Sequence, residues 1–159
     1  MPVAEPELPY TLDTGDRLRI VVFGQEGLSN SYVVDAQGNL SLPLIGTIAA
    51  RAQTTAELSR LIADRLRRGF IREPHVSIEV ESYRPFFILG EVVAPGQYPY
   101  VPHMTVETAV AIAGGYTPRA YRWEINLDRP APGGTLRTSV PPLARVQPGD
   151  TIVIKERWF

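Results

Sequence analysis

Residues 86–115, FFILGEVVAPGQYPYVPHMTVETAVAIAGG, decide how the second half of this chain folds. The apolar run at the start ends at Gly90, and Ala94-Pro95-Gly96 predicts a turn, because Pro fixes φ at one position and Gly adopts the positive φ of the next. The following residues alternate like a strand, which Pro99 must place at a sheet edge or interrupt. Thr105 is a candidate N-cap for a helix that the double Gly at the end of the stretch stops. These signals predict a compact β-β-α unit.

The first half of the chain predicts a second small α+β unit. A β-branched strand follows Thr14-Gly15-Asp16, and residues 35–38 predict a hairpin turn between two short strand-like runs. Thr54 and Glu57 have the spacing of a capping box at the start of a helix. The predicted buried stripe of this helix consists of Leu58, Leu61, Ile62 and Leu66. Strict alternation over residues 75–81 predicts the last strand of the unit.

The signals weaken after Gly115. We predict a polar loop over residues 116–122, a strand over residues 123–127 and an irregular segment over residues 130–134. A last strand should follow Pro148-Gly149-Asp150, in the way that the first strand follows Thr14-Gly15-Asp16. At the other end of the chain, residues 1–9 are rich in Pro and Glu and predict a flexible segment.

Two sets of motifs resemble known families. In the second half, Leu-Gly-Glu-Val, Pro-Gly, Tyr-Pro, Met-Thr-Val and Ala-Gly-Gly stand in the order and spacing of the SLBB domain, the soluble ligand-binding β-grasp module. In the first half, Tyr-x-Leu-x-x-Gly-Asp-x-Leu-x-Ile and Val-Asp-x-x-Gly-x-Leu-x-Leu-Pro-Leu-Ile-Gly are similar to the polysaccharide export (PES) domain. One departure is local: family members usually carry Gly near Gln53, where this chain reads Arg51-Ala52-Gln53.

The resemblance implies an α+β fold with two domains. Residues 10–82 would form a small PES β-α-β unit, and residues 83–159 a β-grasp, ubiquitin-like SLBB unit. Its functional implication is a non-catalytic, periplasmic component of a capsule or exopolysaccharide export channel at the outer membrane. Members of the family form homo-oligomeric rings around a polysaccharide conduit and work with an inner-membrane polysaccharide co-polymerase that is often linked to a tyrosine kinase.

Two features of the family are missing from this sequence. Residues 1–5 lack the basic start and apolar core of a signal peptide, and no lipid-accepting Cys lies near the start, so we expect both to have been removed by processing. No amphipathic helix follows Trp158, which leads us to expect a separate outer-membrane β-barrel partner. The alternative is a free-standing periplasmic glycan-binding module that acts as a monomer or dimer.

Composition excludes several classes of function. The net charge is −1, which does not supply the basic face that nucleic-acid binding requires. The chain has no cysteine and therefore no disulfide, thiol nucleophile or Cys-based zinc site. Its hydrophobic content of 44% is that of a folded domain, but no stretch approaches the roughly 20 apolar residues of a membrane-spanning helix.

Candidate catalytic groups have simpler structural interpretations. His75 belongs to the polar face of an alternating strand, and His103 precedes a helix without a carboxylate cluster around it. Of the paired carboxylates that could cleave a glycan, Asp13 and Asp16 belong to a turn, and Glu79 and Glu81 to a solvated strand face. With no nucleophile elbow and no phosphate loop, we predict no enzyme, no cofactor and no metal.

Aromatic residues are concentrated in the second half of the chain. A Tyr or Trp ring can stack on the C–H face of a sugar while its polar tip forms a hydrogen bond, and the same residues serve protein interfaces. Packing, subunit contact and glycan contact therefore remain alternatives for them. The candidate contact residues are Tyr98, Tyr100, Tyr116, Arg119, Tyr121, Arg122 and Trp123.

Overall fold

The computed structural model describes residues 9–131 and 133–158, which divide into two compact units, Met1–Tyr83 and Arg84–Phe159. Most of the flexible segment predicted over residues 1–9 lies outside the described residues. The first unit contains β1 (Arg17–Val22), β2 (Asn30–Val33), β3 (Asn39–Leu42), β4 (Gly46–Ala49), α1 (Thr55–Arg67) and β5 (Val76–Ser82). The second contains β6 (Phe86–Gly90), β7 (Gly96–Tyr98), α2 (Val106–Ile112), β8 (Ile125–Ala131), β9 (Gly134–Val140) and β10 (Thr151–Ile154). The predicted α+β class is confirmed, and the β-grasp assignment of the second unit stays a prediction.

The sheets of the first unit correct the predicted hairpin. The turn at residues 35–38 is present, with the Gly38 amide donating to the Asp35 carbonyl over 2.9 Å. The strands on either side of it, however, do not form a ladder with each other: β2 pairs with β1, and β3 pairs with β4. The reason is that the residues before the turn and those after it lie along different neighbours. The Val34 amide donates to the Asp16 carbonyl beside β1, while β3 turns back through Pro43 and Leu44 into β4.

The helix of the first unit begins as predicted. Thr54 is the N-cap of α1, and its hydroxyl accepts a hydrogen bond from the Glu57 amide over 3.1 Å. Leu58, Ile62 and Leu66 are fully buried, whereas Leu61 lies at the margin of this stripe and is only partly buried. Leu61, which was predicted in the buried stripe, packs against the core but is less buried than the other three residues. The alternating residues of β5, Val76, Ile78 and Val80, pack against the same core from the sheet side.

The residues Arg51-Ala52-Gln53 replace the expected Gly with a left-handed alanine. Ala52 has a φ of 66°, a region that costs an L-residue about 1–2 kcal/mol. The amide of Ala52 donates to the Leu12 carbonyl over 2.9 Å, and Arg51 bonds to Asp13 and Thr14. These bonds hold the local backbone in a conformation that a glycine would adopt without strain.

The second unit is a five-stranded sheet in the order β7-β6-β10-β8-β9, with β10 parallel to β6 and its other pairs antiparallel. β7 lies at the edge and ends at Tyr98, just before Pro99, as predicted. Thr105 caps α2 by accepting from the Thr108 amide over 3.2 Å. The helix buries its predicted apolar face, Val106, Ala109, Val110 and Ala113, against Phe86, Ile88, Ile125 and Ile152.

The hairpin β8–β9 corrects the predicted irregular segment. β8 continues through Pro130, which pairs with Thr135, and β9 is a seven-residue strand that the sequence did not predict. A proline is tolerated there because β10 pairs with β8 only as far as Asp128, so β8 has a single neighbour at Pro130. Pro132, within the predicted irregular segment, lies outside the described residues.

The two Gly-Asp turns place carboxylates in the cores of the two units. Asp16 and Asp150 are both 0% exposed. Asp16 accepts from the Asp13 amide at 3.0 Å and from the Tyr10 hydroxyl at 2.6 Å. Asp150 accepts from the Gln147 amide at 2.7 Å, which is the corresponding bond in the second unit. The prediction that Asp16 belongs to a turn is confirmed, and a turn of the same kind precedes each of the strands β1 and β10.

Candidate functional site

The predicted contact residues all lie in the second unit, but the structure does not bring them together at one place. Tyr98 ends β7, and Tyr100 follows it before α2. Tyr116, Arg119, Tyr121, Arg122 and Trp123 lie in the loop between α2 and β8. Two groups of different character follow from this placement.

Tyr98 and Tyr100 are packing residues of the sheet edge. The ring of Tyr98 stacks on that of the buried Phe86, with centroids 6.0 Å apart, and its hydroxyl donates to the Ala94 carbonyl. Tyr100 is partly buried against the same core. The ring and hydroxyl of Tyr98 are thus both used inside the unit, which leaves the loop after α2 as the better candidate.

The loop after α2 is held at its beginning by Glu91. The Thr117 hydroxyl donates to Glu91 Oε2 over 2.6 Å, and the Thr117 amide donates to the Glu91 carbonyl over 3.1 Å. Tyr116 forms an isolated β-bridge with Val92 and packs partly buried against the core. The loop therefore begins from a fixed backbone position.

The same loop runs beside the residues that follow β10. Ala120 and Glu156 form an antiparallel bridge. The Tyr121 amide donates to the Lys155 carbonyl over 2.8 Å, and the Arg157 amide donates to the Arg119 carbonyl over 2.9 Å. These bonds join two segments that are far apart in sequence, so side chains from both contribute to one surface.

Cations lie over aromatic rings on this surface. The guanidinium carbon of Arg122 is 5.0 Å from the centre of the Tyr116 ring, and the Lys155 ammonium is 5.8 Å from the centre of the Tyr121 ring. Both distances are within the range of cation–π attraction. Burial raises the pKa of the Tyr116 hydroxyl, Glu107 raises it further, and the positive charge of Arg122 opposes them. Tyr116 is therefore neutral at physiological pH and can act as a hydrogen-bond donor.

Exposed indoles and cations complete this surface. Trp123 is 76% exposed and Trp158 is 93% exposed. The Arg119 side chain is 77% exposed and lies 3.9 Å from Glu156. We call this surface the loop patch, which consists of Tyr116, Arg119, Tyr121, Arg122, Trp123 and Lys155, with the exposed Trp158 following in the chain. Lys155 was not among the predicted site residues, because its separation in sequence from Tyr121 hides its proximity to that ring.

The chemistry of the loop patch suits binding. Its groups are rings, a phenol donor and cations, which can stack on sugar faces or pair with carboxylates. The carboxylate pair considered for glycan cleavage has structural partners instead: Asp13 accepts from Arg51 Nε at 3.0 Å and from the Thr14 amide at 2.7 Å. Within residues 9–131 and 133–158, no group of three or more His, Asp or Glu residues could hold a metal ion.

The histidines take separate positions. His103 has a φ of 65°, and its carbonyl accepts a hydrogen bond from Arg145 over 2.6 Å. His75 is exposed at the start of β5 in the first unit. In the part of the chain that the structure describes, no helix has both the length and the apolar character needed to cross a membrane.

Two family models match the chain in succession. The model described as "Polysaccharide biosynthesis/export protein" matches residues 4–81, and the SLBB domain model matches residues 85–138. Together they cover most of both structural units.

The chain is also similar to curated proteins. The exopolysaccharide production protein ExoF of Rhizobium meliloti (strain 1021) is 36% identical over 118 residues, which cover 67% of this chain and 28% of ExoF. The EPS I polysaccharide export outer membrane protein EpsA of Ralstonia nicotianae is 30% identical over 144 residues, 72% of this chain and 36% of EpsA. The polysialic acid transport protein KpsD of Escherichia coli is 24% identical over 161 residues, 93% of this chain and 28% of KpsD.

This chain therefore matches only 28 to 36% of the length of these relatives. Because the export-domain model and the SLBB model match this chain in succession, the chain belongs to the family of polysaccharide export proteins, with an SLBB domain following the export domain.

Proposed function

We propose that this chain is a non-catalytic component of a capsule or exopolysaccharide export channel, located in the periplasm at the outer membrane. The observation that carries the proposal is the succession of an export domain and an SLBB domain over residues 4–138. The names of ExoF, EpsA and KpsD refer to exopolysaccharide production, export at the outer membrane and polysialic acid transport. Residues 10–82 would act as the export domain and residues 83–159 as the SLBB domain.

The family consists of export components and not of enzymes, and this chain is no enzyme. The described carboxylates agree with this assignment, because Asp13, Asp16 and Asp150 are bonded within turns or to arginines. A channel component needs a surface for its cargo or its neighbours. The loop patch supplies rings and cations without a neighbouring pair of acid and base.

The chain would act as a homo-oligomeric ring around the conduit. A ring requires two different complementary faces on each copy, and a rotation that closes. The loop patch is proposed as one such face, where Arg122 and Trp123 would contact the next subunit. An inner-membrane polysaccharide co-polymerase, linked to a tyrosine kinase, would deliver the polysaccharide.

Native mass spectrometry of the full chain tests the ring. We expect a large closed oligomer with a single copy number. A monomer or dimer at every concentration up to the solubility limit would contradict the ring. It would favour the second candidate, a periplasmic glycan-binding module, in which the exposed Trp123 and Trp158 contact sugar.

A paired measurement tests the loop patch. Both Arg122 and Trp123 are exposed, and changes at such sites usually alter stability by no more than about 0.5 kcal/mol. We expect Arg122→Ala with Trp123→Ala to melt like the parent while surface polysaccharide is lost from cells that carry it. The control is Arg65→Ala with Leu143→Ala, which also removes an exposed cation and an exposed apolar side chain. Normal export in the first variant would remove the loop patch from the proposal.

A further inference from the structure

The first unit contains an open groove that the loop patch does not include. The groove lies between α1 and the start of β5, with Phe23 after β1 at its side, and it encloses about 280 Å³. Ala63, Pro74 and Val76 form its apolar lining. Its volume is at the lower limit of small-molecule pockets, which span roughly 300–1,000 Å³, so it suits a single small group.

The charge in this groove has no acidic partner among the residues that the structure describes. Arg60 is exposed, lines the groove and forms no hydrogen bond or salt bridge within the described part of the chain. Two other arginines of the unit have acidic partners: Arg67 bonds to Asp64 at 2.9 Å and Arg51 to Asp13 at 3.0 Å. Among the described residues that line the groove, none is acidic. An anion in the groove would therefore meet no acidic lining residue, and it would find the unpaired guanidinium of Arg60.

The walls of the groove are held in place by hydrogen bonds that do not involve these groups. The Phe23 amide donates to the His75 carbonyl over 3.0 Å, which joins the end of β1 to the residue before β5. The Ser59 hydroxyl donates to the Val76 carbonyl over 2.7 Å and joins α1 to the same strand. The Phe23 ring remains 67% exposed although its backbone is bonded. The groove is thus formed before any ligand arrives, which lowers the cost of binding.

We propose that this groove binds a carboxylate-bearing sugar residue, such as a hexuronate of an acidic polysaccharide. Arg60 pairs with the carboxylate, because a guanidinium forms strong, charge-assisted hydrogen bonds with that group. The exposed face of Phe23 packs on the C–H face of the sugar ring. The His75 imidazole forms a hydrogen bond with a sugar hydroxyl. The sugar class rests on the proposed export function, whereas the need for an anion rests on Arg60 alone.

Chemical-shift titration of the full chain tests the site. The probes are methyl glucuronide and methyl glucoside, which differ in the carboxylate. We expect saturable shifts of amides at Phe23, at residues 59–63 and at His75 with the glucuronide, and at least about tenfold weaker binding of the glucoside, as for the loss of charge-assisted bonds. No saturable shift at these amides, or equal affinity for the two probes, would overturn the proposal.

Two further ligands separate an acidic sugar from other anions. Acetate tests a general anion site, and N-acetyl-phenylalanine tests the carboxyl terminus of a peptide. If either one binds as tightly as methyl glucuronide, the sugar proposal is wrong. We expect both to bind more weakly, because acetate lacks the ring that packs on Phe23 and the amino acid lacks the hydroxyl partners of His75.

Matched variants assign the binding to the groove. We expect Arg60→Gln to weaken glucuronide binding by roughly tenfold or more and Phe23→Ala to weaken it as well, both with an unchanged fold by circular dichroism. Arg65→Gln removes another exposed cation of α1 that does not line the groove, and it should bind like the parent. Equal binding by Arg60→Gln and Arg65→Gln would refute the assignment.

The outcome for the groove and the outcome for the proposed function can be distinguished. Deletion of the gene tests the function, because export should be lost. If export is lost on deletion while the groove binds no glucuronide, only the groove proposal fails. If the groove binds glucuronide while deletion leaves export intact, the export function fails and the groove remains an acidic-sugar site.

Discussion

Replacing Asp150 by Asn should destabilise the second unit by roughly 2–4 kcal/mol. The carboxylate is 0% exposed and accepts from Arg129 Nε at 3.0 Å, Arg129 Nη2 at 2.9 Å and the Gln147 amide at 2.7 Å. An Asn oxygen in the place of Oδ2 can still accept from Gln147 and from Arg129 Nη2, but the amide nitrogen in the place of Oδ1 faces Arg129 Nε and cannot accept from it. The variant thus keeps the volume of the side chain and removes the charge-assisted pair.

The magnitude follows from the bonds lost and from the exposure of the partner. The lost hydrogen bond from Arg129 Nε is worth roughly 1.5–3 kcal/mol, and breaking a buried ion pair costs about 3–5 kcal/mol. Arg129 is 35% exposed, so water recovers part of this loss for its guanidinium. Hydrogen bonding to Asp150 raises the pKa of Arg129 in the parent, and the guanidinium also stays charged in the variant because arginine does not deprotonate in proteins.

Asp128→Asn is the matched control. Asp128 also forms a two-bond pair with an arginine, at 2.7 and 2.8 Å to Arg137, but Arg137 is 61% exposed. The pair has the same chemistry but is more exposed. The loss of stability in Asp128→Asn should therefore be a small fraction of the loss in Asp150→Asn. Amide hydrogen exchange of β8 and β10 measures the stability of the second unit by itself. Equal losses of protection in the two variants would show that burial does not decide the strength of these pairs.

Two further substitutions and one dependence on pH test other parts of the structure. Ala52→Gly should stabilise the first unit by about 0.5–1 kcal/mol in urea unfolding, because the φ of 66° no longer strains an L-residue. Gly90→Ala should cost more than about 3 kcal/mol, since a Cβ there would lie 2.1 Å from the Ile154 carbonyl oxygen, in addition to a φ of 87°. Hydrogen bonds from Arg137 lower the pKa of Asp128, so this stabilisation is present above pH about 4 and is lost as the pH falls through the folded pKa.

Each of these changes has its own control. Ala56→Gly, at an exposed position within α1, should destabilise by up to about 1 kcal/mol, and a gain there would contradict the argument from φ. Gly24→Ala meets no atom within 4 Å at a φ of 78°, so it should cost about 1–2 kcal/mol, and a loss as large as at Gly90 would refute the role of close approach. Asp128→Asn should reduce the loss of stability that occurs as the pH falls below about 4. An unchanged dependence of stability on pH would contradict the lowered pKa of Asp128.

The sequence by itself determined the features that arise within a few neighbouring residues. The caps Thr54 and Thr105, the buried face of α2 and the Gly-Asp turns before β1 and β10 all lie where the sequence predicted them. The order of motifs along the chain is sufficient to indicate the family, because those motifs are local patterns of a few residues each. The departure from the family pattern near Gln53 was expected to have only a local effect, and the structure places Ala52 in the left-handed region there.

Only the tertiary structure decided which strands pair and which surfaces form. The turn at residues 35–38 specifies a change of direction but not a ladder partner, and β2 finds its partner in β1 instead. Strand pairing depends on contacts between residues far apart in sequence, and no local pattern contains them. The same reason explains why β9 was missed, and why Lys155 beside Tyr121 and Arg60 beside Phe23 became visible only in the folded chain.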